Sequence, residues 1–213
     1  MVSIIYYSSD ERFMNIQGIH IQTVNTIPWE CLQGLMPKRC ERSQKYLRTA
    51  DRLRCLGAGL LMHQVLGIEE PLLHYGQYGK PYAPGHGEFS ISHGGNWAVV
   101  ASDPYAVGVD IEPINPDNLD IAGRVFTPGE LLWMQQDPLI RFHILWTIKE
   151  SIMKATGLGM QLDPASFEVL PDRKVSYVNG SIWHTAWMSV DGCVLACASE
   201  RKIQKLEFRE IFF

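Results

Sequence analysis

The acidic side chains with the clearest potential for chemistry lie in the segment 107–112, which reads VGVDIE. Asp110 and Glu112 lie on a predicted strand, where a spacing of two residues points both carboxylates to the same side. Like charges so placed repel each other unless a cation or a basic group neutralises them. Mg²⁺ suits such a pair because it takes a few carboxylates and fills its octahedron with water and phosphate oxygens. Two solvated acids on an edge strand are the alternative interpretation.

A second segment, 145–157, is a predicted helix with the sequence LWTIKESIMKATG. Glu150 and Lys154 lie one turn apart on the same face, and Lys149 directly precedes Glu150. An exposed pair with this spacing is common and contributes only about 0.3–0.5 kcal/mol. This helix, however, is apolar around much of its circumference, so its charged residues need partners. A site that binds a divalent cation and a polyphosphate would supply them.

The composition is that of an ordinary soluble globular protein. The chain has 213 residues, of which 46% are hydrophobic and 20% charged, enough for one large domain or two small lobes. No apolar run approaches the length of a membrane span, and the first residues are typical of a strand rather than a signal peptide. A net charge of −4 gives no general attraction to nucleic acid. Five cysteines without a CxxC pair predict a cytoplasmic protein with reduced thiols.

The charge is nevertheless uneven along the chain. The segment 38–54 has only two acidic residues beside seven basic ones, Lys38, Arg39, Arg42, Lys45, Arg48, Arg52 and Arg54. A solvated helix surface is one interpretation of such a run. A binding site for an anion, such as a phosphate distant from the metal, is the other.

Three helices can be predicted from periodicity and end signals. The first runs from Thr49 to about Leu66, and Gly67 is placed to end it. A short helix opens with the capping box of segment 127–130. The helix that carries Glu150 starts at Asp137 and stops near residue 157.

Short strands follow both long helices, which indicates an α+β fold with two similar lobes. The strands are predicted at 88–92, 97–102, 105–112, 166–170, 174–178, 182–190 and 192–199. Segments 97–103 and 193–200 even resemble each other in sequence. The lobes are predicted to span residues 1–104 and 105–213, with the join near Pro104.

Two loops could contact a nucleotide. Ser92 and His93 open the turn between two predicted strands, and they either cap that turn or present a hydroxyl and an imidazole to a phosphate. Lys80 lies in the sequence Gly-Lys-Pro, which is either an ordinary turn or a rigid loop that holds a lysine against a nucleotide.

Taken together, these segments resemble the 4′-phosphopantetheinyl transferase superfamily, in its longer, surfactin-synthetase-activating (Sfp-like) branch. Four blocks match in order: YGKP at 78–81, FSISH at 89–93, VGVDIE at 107–112 and LWTIKESIMKA at 145–155. FTPGE at 126–130 fits the family's short helix between the last two. The resemblance covers about residues 35 to 160. It implies two lobes related by pseudo-twofold symmetry, each a small, mainly antiparallel sheet packed with a long helix.

The resemblance also implies an activity, the transfer of 4′-phosphopantetheine from coenzyme A to a serine of an apo acyl or peptidyl carrier protein, with release of adenosine 3′,5′-bisphosphate. By family position, Asp110, Glu112 and Glu150 are expected to coordinate Mg²⁺, with Mn²⁺ as the alternative, bound to the coenzyme A pyrophosphate. Glu150 is also the expected general base, and Lys154, with Lys149, is expected to offset charge on the phosphates. Because the shorter branch of the family builds its site between subunits, two internal lobes imply a monomer.

The resemblance assigns further contacts with coenzyme A. The residues concerned are Arg39, Arg42, Arg54, Lys80, Ser92 and His93, together with Lys149 and Lys154. Lys80 is expected beside the adenine, and Ser92 and His93 at the phosphates. The arginines of the basic run are expected at the ribose 3′-phosphate.

Two other functions remain open from the residues alone. One is another Mg²⁺-dependent enzyme that acts on nucleotide pyrophosphates, which would need no carrier protein. The other is a non-catalytic module that binds coenzyme A, which would bind without turnover. The presence of all three carboxylates counts against the second.

Overall fold

The structure, a computed structural model, describes residues 13–212, and the strand predicted at the N-terminus lies outside them. Within that range the α-helices are α1 (Ile21–Asn25), α2 (Trp29–Leu35), α3 (Pro37–Gln44), α4 (Thr49–Leu66), α5 (Ala122–Val125), α6 (Pro128–Met134) and α7 (Pro138–Thr156). The strands are β1 (Phe13–His20), β2 (His74–Tyr75), β3 (Pro81–Tyr82), β4 (Glu88–Gly94), β5 (Trp97–Asp103), β6 (Val107–Pro113), β7 (Val175–Val178), β8 (Ser181–Val190), β9 (Cys193–Ser199) and β10 (Lys205–Glu210). Short 3₁₀ helices lie at Glu70–Leu72, Pro116–Ile121, Gly159–Gln161 and Pro164–Ser166.

The two long helices begin and end where the sequence predicts. Helix α4 ends at Gly67, whose left-handed backbone (φ 66°) suits a residue without a side chain. Helix α7 begins after Asp137, whose carboxylate accepts a hydrogen bond from the Ile140 N–H at 3.2 Å, and it ends at Gly157 (φ 72°). The predicted capping box of α6 is also present. These three predictions are confirmed.

The first sheet has four strands in the order β10-β1-β5-β4. Strands β1 and β10 are parallel, and the other pairs are antiparallel. Helix α4 covers one face of this sheet, and its Leu56, Leu60 and Leu61 belong to the same buried cluster as Ala98 and Val100 of β5. This core holds α4 and the end of the basic run next to the β4–β5 hairpin.

The second sheet has four antiparallel strands in the order β6-β9-β8-β7. Helix α7 packs on one face, where Leu145, Ile148 and Ile152 join Val194 and Ala196 of β9 in one buried cluster. The helix that carries Glu150 and Lys154 therefore rests on the sheet to which the strand with Asp110 belongs.

The two sheets pack against each other through the faces that α4 and α7 do not cover, and they also meet at their edges. Ile16, Val99, Val109 and Leu195 belong to a third buried cluster that joins strands of both sheets. Edge strands β4 and β6 lie side by side, and the Val109 N–H donates to the hydroxyl of Ser90 at 3.1 Å. A side chain thus bridges the seam between the sheets.

Both sheets are built in the same chain order. A strand is followed by a long helix and then by an antiparallel hairpin, whose second strand pairs with the first strand. Elements β1, α4, β4 and β5 follow this order in the first sheet, and β6, α7, β8 and β9 follow it in the second. The α+β class predicted from the sequence is confirmed.

The strand predicted at 166–170 is wrong. Phe167 and Val169 are buried, which produces the alternating pattern, but the segment has no partner strand. Side chains bond its backbone instead: Lys149 donates to the Phe167 carbonyl at 2.5 Å, and the Val169 N–H donates to Glu130 at 2.6 Å. The other predicted strands are present, with ends that differ by one or two residues.

Two further features of the described residues are the character of the helices and the state of the cysteines. No helix within residues 13–212 combines the length and the apolar character needed to cross a membrane. All five cysteines are free thiols, and four of them are buried. Burial raises the pKa of the Cys193 thiol to about 11, so that this group stays protonated at neutral pH.

Candidate active site

Helix α7 lies directly on β6 because position 108 has no side chain. A Cβ at Gly108 would overlap the carbonyl oxygen of Ser151 and lie 2.5 Å from the Ala155 nitrogen. Any other residue there would push the helix away from the strand. This close approach brings the last two turns of α7 alongside the strand that carries Asp110.

Three side chains from three elements meet at the seam between the sheets. Lys154 of α7 donates hydrogen bonds to Asp110 Oδ1 of β6 at 2.6 Å and to the hydroxyl of Ser92 of β4 at 2.8 Å. The Ser92 hydroxyl in turn donates to the same Asp110 oxygen at 2.7 Å. Ser92, Asp110 and Lys154 are called the Asp110 cluster below. Two segments far apart in sequence therefore form one site, as the sequence predicts.

The second oxygen of Asp110 has no partner. Asp110 is only 2% exposed, and its Oδ2 atom is buried without a hydrogen-bond donor among residues 13–212. A buried carboxylate oxygen in this condition is costly unless a cation, a water or a ligand satisfies it. A cation, a water or a ligand bound at this oxygen would remove that cost.

Glu112 and Glu150 add negative charge around the Asp110 cluster. Burial, reinforced by the charge of Asp110, raises the pKa of Glu112 to about 7 against the opposing effect of Lys154, and Glu150 contributes in the same direction as Asp110. Burial and then Asp110 also raise the pKa of Glu150, again opposed by Lys154. The three carboxylates thus lie within electrostatic reach of one another and hold more negative charge than Lys154 neutralises.

These carboxylates do not form a completed metal site in the arrangement described. Among residues 13–212, no three His, Cys, Asp or Glu side chains converge closely enough to hold a metal ion. The ammonium group of Lys154 neutralises part of the Asp110 charge instead. The donor chemistry and the excess negative charge nevertheless suit a hard cation such as Mg²⁺.

His93 and Arg54 lie on either side of the β4–β5 turn. His93 is exposed, yet desolvation by its surroundings lowers the pKa of its imidazole, and the positive charges of Lys154 and Arg54 act in the same direction. Arg54 of α4 donates hydrogen bonds to the carbonyl of Gly95 and to the carboxylate of Asp51. The arginine therefore bonds the turn that follows the end of β4, where His93 lies.

Lys80 connects the β2–β3 hairpin with the end of α7. Its ammonium group donates to Glu88 at 2.9 Å and to the Ala155 carbonyl at 3.0 Å, and its stem packs against Gly157. A lysine near a helix C-terminus also interacts favourably with the helix dipole. Lys80 is thus near the site, but its charge is already engaged.

Arg39 and Arg42 lie on α3, which packs against α4. Arg39 donates to the Cys55 carbonyl at 3.3 Å, and its side chain crosses α4 where Gly59 leaves room for it. Arg42 is exposed on the helix surface. The hydrogen bonds of these two arginines do not connect them with the Asp110 cluster within the described part of the chain.

Lys149 lies in the core and not in the site. Its side chain is 0% exposed and forms an ion pair with Glu130 at 2.8 Å. Its ammonium group also donates to the carbonyls of Pro164 and Phe167. All three donors of the lysine are therefore used, and the expectation that Lys149 contacts a phosphate is corrected, because the group has no donor left to offer.

Sequence reasoning missed the roles of three residues, two beside Asp110 and one in the core beneath α7. Ser90 bonds the backbone next to Asp110, Gly108 allows α7 to approach β6, and Glu130 pairs with Lys149. Gly108 was visible in the VGVDIE block, where a glycine within a strand often marks a close backbone approach. Ser90 and Glu130 carry no such signal, because their partners are distant in sequence.

The chain is similar in sequence to several known proteins. The family model "4'-phosphopantetheinyl transferase superfamily" matches residues 106–193. A 4'-phosphopantetheinyl transferase of Bacillus subtilis is 34% identical over 170 residues, which cover 73% of this chain and 76% of the relative. The 4'-phosphopantetheinyl transferase gsp of Aneurinibacillus migulanus is 38% identical over 58% of this chain and 56% of its own length. The 4'-phosphopantetheinyl transferase Sfp of Bacillus subtilis (strain 168) is 33% identical over 63% and 66%.

A solved structure also matches in part. The holo-[acyl-carrier-protein] synthase of Thermotoga maritima is 19% identical, with a TM-score of 0.35, over 46% of this chain and 64% of that one. The matched regions cover between about half and three quarters of the lengths of the three relatives. The match at 34% identity covers more than two thirds of both chains. The chain belongs to the 4′-phosphopantetheinyl transferase superfamily, in its Sfp-like branch.

Proposed function

We propose that this protein transfers the 4′-phosphopantetheine group of coenzyme A to a serine of an apo acyl or peptidyl carrier protein and releases adenosine 3′,5′-bisphosphate. The observation that carries the proposal is the Asp110 cluster, with its orphaned carboxylate oxygen and two further carboxylates beside it. The relatives, named 4'-phosphopantetheinyl transferases, support this reaction class.

Asp110, Glu112 and Glu150 are the residues that would hold Mg²⁺, with Mn²⁺ as the alternative. Burial, and then the charge of Asp110, raise the pKa values of the two glutamates, and the second oxygen of Asp110 lacks a donor among the described residues. A divalent cation would relieve all three of these unfavourable conditions. Such an ion would neutralise charge on the pyrophosphate of coenzyme A.

Glu150 is the proposed general base. Its carboxylate is half-buried, and its pKa is raised by burial and by Asp110, so that it is a stronger proton acceptor than an exposed glutamate. It would take the proton of the carrier serine as the serine oxygen bonds to the β-phosphorus, the phosphorus that carries the pantetheine arm. The bond from this phosphorus to the bridging pyrophosphate oxygen breaks, and the adenosine bisphosphate leaves with that oxygen.

The basic groups would bind the phosphates of coenzyme A and neutralise the departing bisphosphate. Lys154 and Ser92 already belong to the cluster, and the exposed His93 directly follows Ser92 on β4. We assign Arg54 to the same region, since it bonds the turn that follows β4. Lys80, Arg39 and Arg42 are assigned to the nucleotide half of coenzyme A on the resemblance alone.

The wider assignment follows the family. We propose two lobes, residues 1–104 and 105–213, related by pseudo-twofold symmetry, and the repeated order of strand, helix and hairpin supports this relation. The protein would then act as a cytoplasmic monomer on carrier proteins, without nucleic acid or membrane partners. Carriers of this kind are typically acidic, so the basic run 38–54 would aid their approach.

Intact-mass analysis of an apo carrier protein, after incubation with the protein, coenzyme A and Mg²⁺, tests the proposal. Addition of one phosphopantetheine group to the carrier is the expected result. No addition to several acyl and peptidyl carriers would refute it. Hydrolysis of coenzyme A without any carrier would indicate a pyrophosphate-cleaving enzyme, and binding without turnover would indicate a coenzyme A-binding module.

A further inference from the structure

The buried pair Glu130–Lys149 connects α6, α7 and the segment that follows α7. The two side chains are 0% exposed, and Lys149 Nζ lies 2.8 Å from Glu130 Oε1. The ammonium group also donates to the carbonyls of Pro164 and Phe167, at 2.7 and 2.5 Å. Lys149 therefore bonds simultaneously to the start of α6, to the 3₁₀ helix Pro164–Ser166 and to the residue that follows this 3₁₀ helix.

Glu130 is bonded equally completely. Its Oε2 atom accepts a hydrogen bond from the Thr127 N–H at 2.7 Å, which closes the capping box of α6. Its Oε1 atom accepts from the Val169 N–H at 2.6 Å as well as from Lys149. No donor or acceptor of the pair is left without a partner, as a charge pair in the core requires.

The position of Lys149 on α7 relates this pair to the active site. Successive residues of an α-helix are about 100° apart, so Glu150 follows Lys149 by about 100° and Ser151 follows Glu150 by the same angle. On the Ser151 side, the helix backbone rests on Gly108 of β6. On the Lys149 side, the ammonium group is bonded to Glu130. Glu150 thus lies on a face of the helix that is fixed from both sides.

A purely stabilising role does not explain why this pair is charged. Taking two charges out of water costs about as much as their attraction returns, and apolar residues of similar size often stabilise a core equally well. What apolar residues lack is direction, because four hydrogen bonds and the ion pair fix both side chains in one geometry. The pair is therefore better suited to fixing the orientation of the elements that it joins than to stabilising the folded protein.

We propose that Glu130 and Lys149 are positioning residues for Glu150, since their pairing fixes the rotation of α7 about its axis. This inference rests on the function proposed above. A rotation of about 10° would move a group about 6 Å from the helix axis by about 1 Å. A misplacement of about 1 Å can lower a catalysed rate about 100-fold.

Steady-state transfer to a carrier protein tests the proposal in Lys149→Met and Glu130→Gln. Each variant is expected to lower kcat about 10- to 100-fold. The KM for coenzyme A should stay within about threefold of the wild-type value, because neither residue contacts the substrate. Calorimetric titration with coenzyme A in the presence of a chelator, without metal or carrier, should give an unchanged Kd and provides a readout independent of turnover and of the metal ligand Glu150.

A matched control separates orientation from loss of stability. Leu61→Ala removes a fully buried side chain of α4 in the other core, and it should lower the melting temperature while kcat is kept below that temperature. The double variant Glu130→Gln with Lys149→Met leaves no lone buried charge. It is expected to fold more stably than Lys149→Met alone and to keep the reduced kcat.

Several results would overturn the proposal. A KM for coenzyme A that rises tenfold in Lys149→Met alone would make Lys149 a substrate ligand. A wild-type kcat in the folded variants, or in the double variant, would show that the pair does not orient Glu150. An equal loss of kcat in Leu61→Ala would assign the effect to stability. An inactive wild-type protein would instead refute the proposed function itself.

Discussion

Glu112 is expected to destabilise the protein at neutral and alkaline pH when no cation is bound. Burial, Asp110 and Glu150 raise the pKa of its carboxyl from 4.5 to about 7. Between these two values the folded protein holds a proton that the unfolded chain has lost. The free energy of unfolding therefore falls as the pH rises through this range, and the full penalty is present above about pH 7. Replacement of Glu112 by glutamine should remove it.

The size of the effect follows from the pKa. A rise from 4.5 to about 7 corresponds to about 3 kcal/mol between the two protonation states. Glu112 remains partly accessible to water and titrates together with Glu150. We therefore expect Glu112→Gln to raise the free energy of unfolding by about 1–3 kcal/mol at about pH 8, and by almost nothing near pH 4.5.

Urea unfolding in the presence of a chelator, at about pH 5 and about pH 8, measures this difference. Glu200→Gln, at an exposed position, serves as the control and should leave the stability unchanged at either pH. Excess Mg²⁺ should then stabilise the wild-type protein but not Glu112→Gln, which should also lose most of its transferase activity. If Glu112→Gln is no more stable than the wild type at about pH 8, burial and the neighbouring carboxylates do not raise the pKa of Glu112 as we describe.

Three further substitutions test the architecture of the site. Gly108→Ala should lower the free energy of unfolding by about 2–3 kcal/mol and abolish transfer, because its methyl group would overlap the α7 backbone; wild-type stability in urea would contradict the close approach. Ser92→Ala removes a hydrogen bond to Asp110 and should lower kcat about tenfold, whereas an unchanged kcat would exclude a role for that hydroxyl. The Asn115 N–H donates to His143 Nε2 at 3.0 Å, so His143→Leu should lower the free energy of unfolding by about 1–2 kcal/mol. Thermal unfolding would measure this loss, and a wild-type melting temperature would contradict the prediction.

Local signals were sufficient to predict much of the fold. Helix ends at Gly67 and Gly157 and the capping box at Thr127 depend on residues within one turn, so the sequence predicts them directly. The pairing of β1 with β10 could not be predicted in this way. These strands lie at opposite ends of the described chain and pair in parallel, and no local pattern encodes a contact between such distant segments.

The site was predictable in its residue types and less so in its contacts. The sequence correctly predicted the strand that carries Asp110 and Glu112 and the helix that carries Glu150 and Lys154. The direction of Lys149 was not predictable, because adjacent helix residues differ by about 100° and the sequence does not say which face is buried. Only the partner of Lys149, which lies 19 positions earlier in the sequence, settles its orientation.

The charge balance of the site explains why one lysine cannot complete it. With all three carboxylates ionised, Asp110, Glu112 and Glu150 carry three negative charges, and Lys154 is the cation that bonds Asp110. Lys149 does not contribute, because it is paired with Glu130. Two negative charges therefore remain, which a divalent cation would neutralise and a monovalent one would not. Because its pKa is raised to about 7, the carboxyl of Glu112 is mostly protonated and uncharged below that pH. The affinity for Mg²⁺ should therefore rise as the pH rises towards and through about 7. A pH-independent affinity would contradict this charge balance.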